Sequence, residues 1–238
     1  KTISFLNSIN KLHIRQYQAN FLNLEDIDLG PVGSKKVFFR YILWTNQFDQ
    51  YDAMVHLDVD TIITKPFDEL FLKEHFFAVD NFGGSLFLEN HHGSKVLSES
   101  LLSDGFSKQI NKFEMLNAGV FVVPKKYRCT EQFELLWSLT KKYNKYFSQA
   151  DQSAISLWCY KNNITFSSEI KYNFQLPFID RFFLNEPEQT KFDLSEIMIF
   201  HFAFWKCESP FYKKMLEGAS FLHRLNEYRI DVLSQKGH

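Results

Sequence analysis

Two carboxylates one residue apart interrupt the apolar stretch AMVHLDVDTII at residues 53–63. Asp58 and Asp60 repel each other, and each is costly to take out of water, so something positive is expected nearby: a cation, a lysine or only solvent. Residues i and i+2 of a strand point to one side, so the two carboxylates can address one point in space. Hard oxygen ligands placed that way suit Mg2+ or Mn2+, which keep positions open for water and phosphate oxygens. The plainer account is a solvated strand end, with Asp60 bonded into a turn.

Three further stretches carry usable chemistry. In LNAGVFVVP (116–124), Gly119 lets something approach the backbone, and Asn117 offers both a donor and an acceptor for sugar hydroxyls. An asparagine turn leading into a core strand explains the same residues. In QADQSAIS (149–156), Asp151 and Gln152 open a helix, where capping accounts for Asp151 and a shared projection into a cleft is the alternative. In IMIFHFAFWK (197–206), His201 lies in an apolar run that suits a core histidine as well as a ligand, and Lys206 follows where a lysine could hold a phosphate.

The elements that must position these residues can be read from periodicity. Apolar spacing predicts helices over 3–12, 35–50, 129–147 with Thr130 as cap, 150–162, and 212–233. Short apolar runs predict strands at 53–58, 76–82, 119–124, 164–170 and 196–202. Gly30, Pro31 and Gly33 mark a turn closing 22–34, Pro66 opens a short turn or helix, and 83–111 is an excursion containing a short helix. Helices alternating with short strands imply an α/β protein, a sheet flanked by helices.

Composition narrows the function classes. A formal net charge of −1 argues against a dedicated nucleic-acid binder. Cys129, Cys159 and Cys207 are few and far apart, which fits a reducing compartment better than a disulfide scaffold. The opening KTISFLNSINKL is too polar for a signal peptide, and no apolar run is long enough to span a membrane. The first residue is not methionine, which is expected of a processed or trimmed chain.

In order along the chain, VHLDVDTIITKPFDELF, NAGVFVV, ADQSAIS and the strand ending FHFAFWK resemble glycosyltransferase family 8, which includes glycogenin and bacterial lipooligosaccharide galactosyltransferases. The Arg40 of FFRYILW matches the arginine of the helix before the Asp-x-Asp strand, and the resemblance runs from about residue 22 to 213. It implies a GT-A type fold, with a mixed, mostly parallel sheet flanked by helices. It further implies retaining transfer of a hexose from a nucleotide-sugar, with a UDP-sugar expected, using a divalent metal, Mn2+ or Mg2+. By the same resemblance Asp58, Asp60 and His201 are the metal ligands. Arg40, Asn117, Asp151 and Lys206 contact the donor, and Gln152 with Asp151 lies at its reacting face. The acceptor is expected to be a glycan or lipid-linked saccharide of lipopolysaccharide type, with HHGSK (91–95) a candidate for its wall.

Two departures qualify the match. No Gly follows His201 and no Pro-Trp follows Lys206, so Lys213 and Lys214 stand as substitutes for the diphosphate lysine. Only 39 residues precede Arg40, too few for the family's base-binding first strand, and an incomplete chain is the expectation. The domain is expected over 1–213, with a helical tail at 214–238 whose His223, Arg224 and Arg229 allow peripheral membrane contact on the cytoplasmic side. A catalytically inactive domain of the same fold, serving as a binding scaffold, is the alternative. A nucleotidyltransferase leaves the Asn-Ala-Gly and Asp-Gln stretches without a task.

Overall fold

A computed structural model describes residues 35–92, 94–107, 114–175 and 196–202. Strand β1 (Ala53–Leu57) leads through Asp58, Val59 and Asp60 into β2 (Thr61–Ile63), then β3 (Phe77–Ser85), helix α1 (Lys95–Ser103) and β4 (Glu114–Pro124). Helices α2 (Thr130–Tyr143) and α3 (Ala150–Lys161) follow, and β5 (Phe174–Gln175) and β6 (Ile199–His201) close the described chain.

Two sheets form, ordered β1-β4-β3 and β2-β6-β5. The expected α/β class, with a mixed sheet and helical cover, is what the chain adopts. The balance of directions differs from the expectation. Among the described residues β5 and β6 run parallel, whereas β4 is antiparallel to both its neighbours and β2 is antiparallel to β6. Apolar alternation marks a strand but carries no direction, so pairing had to wait for the fold.

From Met115 to Pro124 every residue of β4 is buried, as suits a central strand covered on both faces. One face packs Phe121 against Trp44 and Phe76, with Trp158 of α3 edge-on to both of the latter. The other packs Val120 and Val122 with Leu70, Val79, Tyr172 and Ile199. Leu116 and Ala118 share a face with Phe121 and Val123, so the alternation breaks between them. The register explains the break: Ala78 opposes Phe121 but Val79 opposes Asn117, leaving Ala118, Gly119 and Val120 as a bulge in β4. A bulge re-aims side chains next to functional sites, and this one lies within the asparagine stretch singled out from the sequence.

Several local expectations are corrected. The helix at 35–50 forms as two 3-10 segments, Lys35–Trp44 and Asn46–Phe48. The strand at 119–124 starts five residues earlier, at Glu114, because burial on both faces erases alternation. Cys129, extended at φ −138° and ψ 163°, holds the cap position of α2, and Thr130 is already helical. Asp151 is the second residue of α3, beyond the cap Gln149. The short helix after Pro66 begins at Asp68 rather than at the proline. The strand at 164–170 reduces to a bridge between Val79 and Ser167 followed by a 3-10 turn at Ile170–Tyr172. The helices at 3–12 and 212–233, the turn at 30–33 and the boundary at 213 lie outside the described residues. No helix among the described residues is long and apolar enough to cross a membrane.

Candidate active site

Asp58 and Asp60 sit in the turn that carries the chain from one sheet to the other. The Asp58 N–H donates to Gly119 O at 2.8 Å, extending the β1–β4 pairing by one rung. The Asp60 carbonyl accepts from Phe202 N–H at 2.9 Å, tying the far side of the turn to the end of β6. The Thr61 hydroxyl closes the turn on Asp58 O at 2.8 Å, and Val59 points into solvent between the two carboxylates. Convergence of the pair is therefore a property of the turn between sheets, not of the pleat of one strand as the sequence suggested.

His201, the last residue of β6, pairs with Thr61 and lies 3% exposed. Its Nε2 is 3.4 Å from Asp60 Oδ1 and 3.8 Å from Asp58 Oδ2. One ligand atom from each of the three residues falls within 4.8 Å of the others. Two carboxylate oxygens and one imidazole nitrogen are a donor set that fits Mn2+ or Mg2+ with positions left for phosphate oxygens. The fit depends on Gly119: a Cβ there would lie 2.0 Å from His201 Cε1, inside the ring's own volume. The approach to the backbone that the glycine permits is made by this imidazole.

Asp58 is held in place from behind. Its Oδ1 accepts from Arg40 Nη2 at 3.0 Å and from His56 Nε2 at 2.8 Å, which leaves Oδ2 facing His201. His56 was missed by the sequence reading, although its spacing of two from Asp58 was available as a signal. Its ring stacks on Phe121 at 4.7 Å, and burial keeps it below the ordinary imidazole value despite the Asp58 bond. Burial alone would push the Asp58 carboxyl up, but the His56 hydrogen bond and the Arg40 charge outweigh it and hold it down. Asp58 is thus kept ionised and ready for a cation.

Arg40 also joins the start of α3 to this site. Its Nη1 donates to Ala118 O at 2.8 Å and lies 3.1 Å from Asp151 Oδ2, a charge contact without hydrogen-bond alignment. Asp151 is buried, and burial raises its pKa against the pull of Arg40. Gln152 Oε1 accepts from Ala118 N–H at 2.9 Å, while its Nε2 is buried without a partner. An unmade buried hydrogen bond costs about 1–3 kcal/mol, so a native protein tends to retain one where a ligand completes it. Replacing Arg40 by methionine is expected to cost about 3 kcal/mol at neutral pH, because Asp151 keeps a buried charge with no counterion. The folded pKa of Asp151 then lies further above its unfolded value. The loss is therefore largest at high pH and fades as pH falls to the ordinary carboxylate range, which urea melts across pH would measure.

Asn117 is fully buried, and its Oδ1 accepts from Gly119 N–H and from Asn173 Nδ2, both at 2.9 Å. Asn173, Asn81 and Gln175 were also missed by the sequence reading. Gln175 opposes His201 across the β5–β6 ladder and donates to Asp80 O at 3.0 Å. In the HHGSK stretch, His92 Nε2 contacts Ser85 Oγ at 2.9 Å, His91 packs edge-on to Tyr146, and Ser94 caps α1. Lys206, Lys213 and Lys214 lie outside the described residues.

Asp80 is titratable close to neutrality. Burial, reinforced by the Glu114 charge, raises its pKa to about 6. Between about pH 4 and that value the folded chain holds a proton the unfolded chain has lost, so stability falls as pH rises through the window. Discounted for its partial exposure, the penalty above the window is about 1 kcal/mol. Asp80→Asn should raise the melting temperature by about 2–4 °C at neutral pH and by nothing at about pH 3.5.

Comparison with known proteins gives a consistent result. The sequence model of the family described as glycosyl transferase family 8 matches residues 1–205. No curated protein matches the chain. Among solved structures, an active-site mutant of LgtC is 15% identical, with a TM-score of 0.52 over 87% of this chain and 72% of that one. The galactosyltransferase LgtC in complex with donor and acceptor sugar analogs is 15% identical, with a TM-score of 0.49 over 88% and 69%. The glycosyltransferase GlyE of Streptococcus pneumoniae TIGR4 is 22% identical, with a TM-score of 0.48 over 85% and 48%. The likeness to the LgtC mutant shows a shared fold, the GT-A type.

Proposed function

The chain belongs to glycosyltransferase family 8, and from that premise we propose that it moves a hexose from a UDP-sugar to a glycan or lipid-linked saccharide of lipopolysaccharide type. The proposed transfer retains the anomeric configuration and depends on Mn2+ or Mg2+ held by Asp58, Asp60 and His201. The observation that carries the reading is the convergence of those three side chains beside the unsatisfied polar atoms of Asp151 and Gln152. When bound, the cation supplies positive charge where the nucleoside diphosphate leaves.

The chain's own residues do the rest. Arg40 and His56 fix Asp58 so that one oxygen faces the diphosphate side. Gln152 Nε2 and the Asp151 carboxylate line the reacting face of the donor sugar, where a transition state of oxocarbenium character needs positioned dipoles and carboxylates more than a strong base. Asn117, fully buried with both ends of its amide bonded within the protein, backs the site behind His201 rather than touching the donor, and Lys206 is the proposed grip on the diphosphate. The proposed setting is cytoplasmic, with the basic tail in peripheral contact with a membrane.

Thermal unfolding with Mn2+ and a panel of nucleotide-sugars tests the reading. A matching UDP-sugar at about a hundred times its Kd should raise the melting temperature by about 5–10 °C, only with the metal present. Slow release of UDP by hydrolysis should accompany it. Absence of any metal-dependent shift with every nucleotide-sugar would instead make the protein an inactive scaffold of this fold.

A further inference from the structure

The amides buried behind His201 determine which nitrogen of its ring faces the carboxylates. A backbone N–H can only donate, and that of Gly119 lies 2.9 Å from one end of the Asn117 amide, so that end is the oxygen Oδ1. The Asn173 atom 2.9 Å from the same oxygen must then be a donor, which makes it Nδ2. The remaining end of Asn173, Oδ1, can only accept, and it lies 3.1 Å from His201 Nδ1. Nδ1 therefore carries the hydrogen, and in a neutral ring Nε2 is left with its lone pair. Asn81 closes the far end by accepting from Asn117 Nδ2 at 3.3 Å. None of the four side chains is more than 4% exposed, so bulk water does not compete for these bonds.

Nε2 is the atom that lies 3.4 Å from Asp60 Oδ1 and 3.8 Å from Asp58 Oδ2. A lone pair turned toward two carboxylates is repulsive unless a second proton or a metal cation stands between them. We propose that Asn173, backed by Asn117 and Asn81, is a positioning residue that locks the His201 imidazole in its Nδ1–H tautomer and so presents Nε2 to a divalent cation. The inference rests on the metal reading above, but it concerns how the ligand is prepared. Outer partners that fix the tautomer of a metal-binding histidine typically contribute about 10- to 100-fold in metal affinity.

Two measurements on the full chain test it. Nitrogen NMR of protein labelled at histidine, recorded at about pH 9 to keep imidazoles neutral, reads the tautomer directly. The His201 signal is identified by its loss in His201→Gln. The expected result is a protonated Nδ1 and a bare Nε2, and a protonated Nε2 overturns the proposal. The second measurement is Mn2+ titration followed by electron paramagnetic resonance. Asn173→Leu keeps the side chain's bulk without its polar ends, and should weaken Mn2+ binding about 10- to 100-fold. Unchanged affinity overturns the proposal. If Asn173→Leu does not fold, the tautomer in the wild-type protein decides alone. If the wild-type protein binds no Mn2+, the metal reading fails, and the tautomer still shows whether the asparagine chain orients the ring.

Discussion

Asp60→Ala is expected to abolish the metal-dependent rise in melting temperature and to lower glycosyl transfer by about a thousandfold or more. The magnitude follows from losing one of three ligands to an ion that contributes several kilocalories to charge stabilisation at the leaving group. Stability without ligand should change by less than about 0.5 kcal/mol, because the Asp60 side chain is 45% exposed and its ion-pair partner among the described residues is His201. The structural duty of the residue belongs to its carbonyl, which holds Phe202 N–H and survives the substitution. Asp58 makes a poorer test, since removing it also leaves Arg40 and His56 without their shared acceptor. Differential scanning fluorimetry with and without Mn2+, together with a UDP-release assay, reads both halves. A retained metal-dependent shift in Asp60→Ala would remove Asp60 from the ligand set.

Gly119→Ala should damage the same site by steric means alone. The added methyl would meet His201 at 2.0 Å from Cε1, 2.3 Å from Nδ1 and 2.7 Å from Nε2. Neither side can yield cheaply. The ring is tied through Asn173, and the backbone of Gly119 is bonded through its carbonyl to Asp58 N–H and through its amide to Asn117. Overpacking of this kind costs about 3 kcal/mol, a fall of about 6–12 °C in melting temperature for a chain of this size. Mn2+ affinity should fall by about a hundredfold or more, because the imidazole is driven from its position. Gly105→Ala is the control. Gly105 has a φ of +79° with only the flexible end of Lys161 nearby, so alanine there strains the backbone by about 1 kcal/mol and leaves metal binding intact. Equal Mn2+ affinity in Gly119→Ala and wild type would show that the ring does not need this place.

The chemistry-bearing residues were legible because each kind is rare in its setting. Asp58 and Asp60 stood out against an apolar run, His201 against another, and Asp151 and Gln152 opened a helix. Their order along the chain identified the family, and the structure brings Arg40, Asp58, Asp60, Asp151 and His201 together. Asn173 and Asn81 were not legible, whereas His56, two residues before Asp58, carried a signal that was missed. A buried asparagine looks the same in the sequence whether it meets water, a ligand or another side chain, and only its partner gives it a task.

By itself, then, the sequence determined the candidate site residues, the family and the α/β class, since these depend on residue identity and local periodicity. Tertiary structure decided the rest. It set the directions of the strands and placed the Asp58–Asp60 turn at the passage between two sheets. It also made the bulge at Gly119 that admits His201, and the chain of amides that holds the ring. Those features come from contacts between residues far apart in the chain, such as Asn173 with His201, 28 positions apart, and Asp60 with Phe202, 142 apart. Local pattern carries no term for such pairs. They exist only once burial has brought polar groups where no water can satisfy them, so that each must be satisfied by another part of the chain.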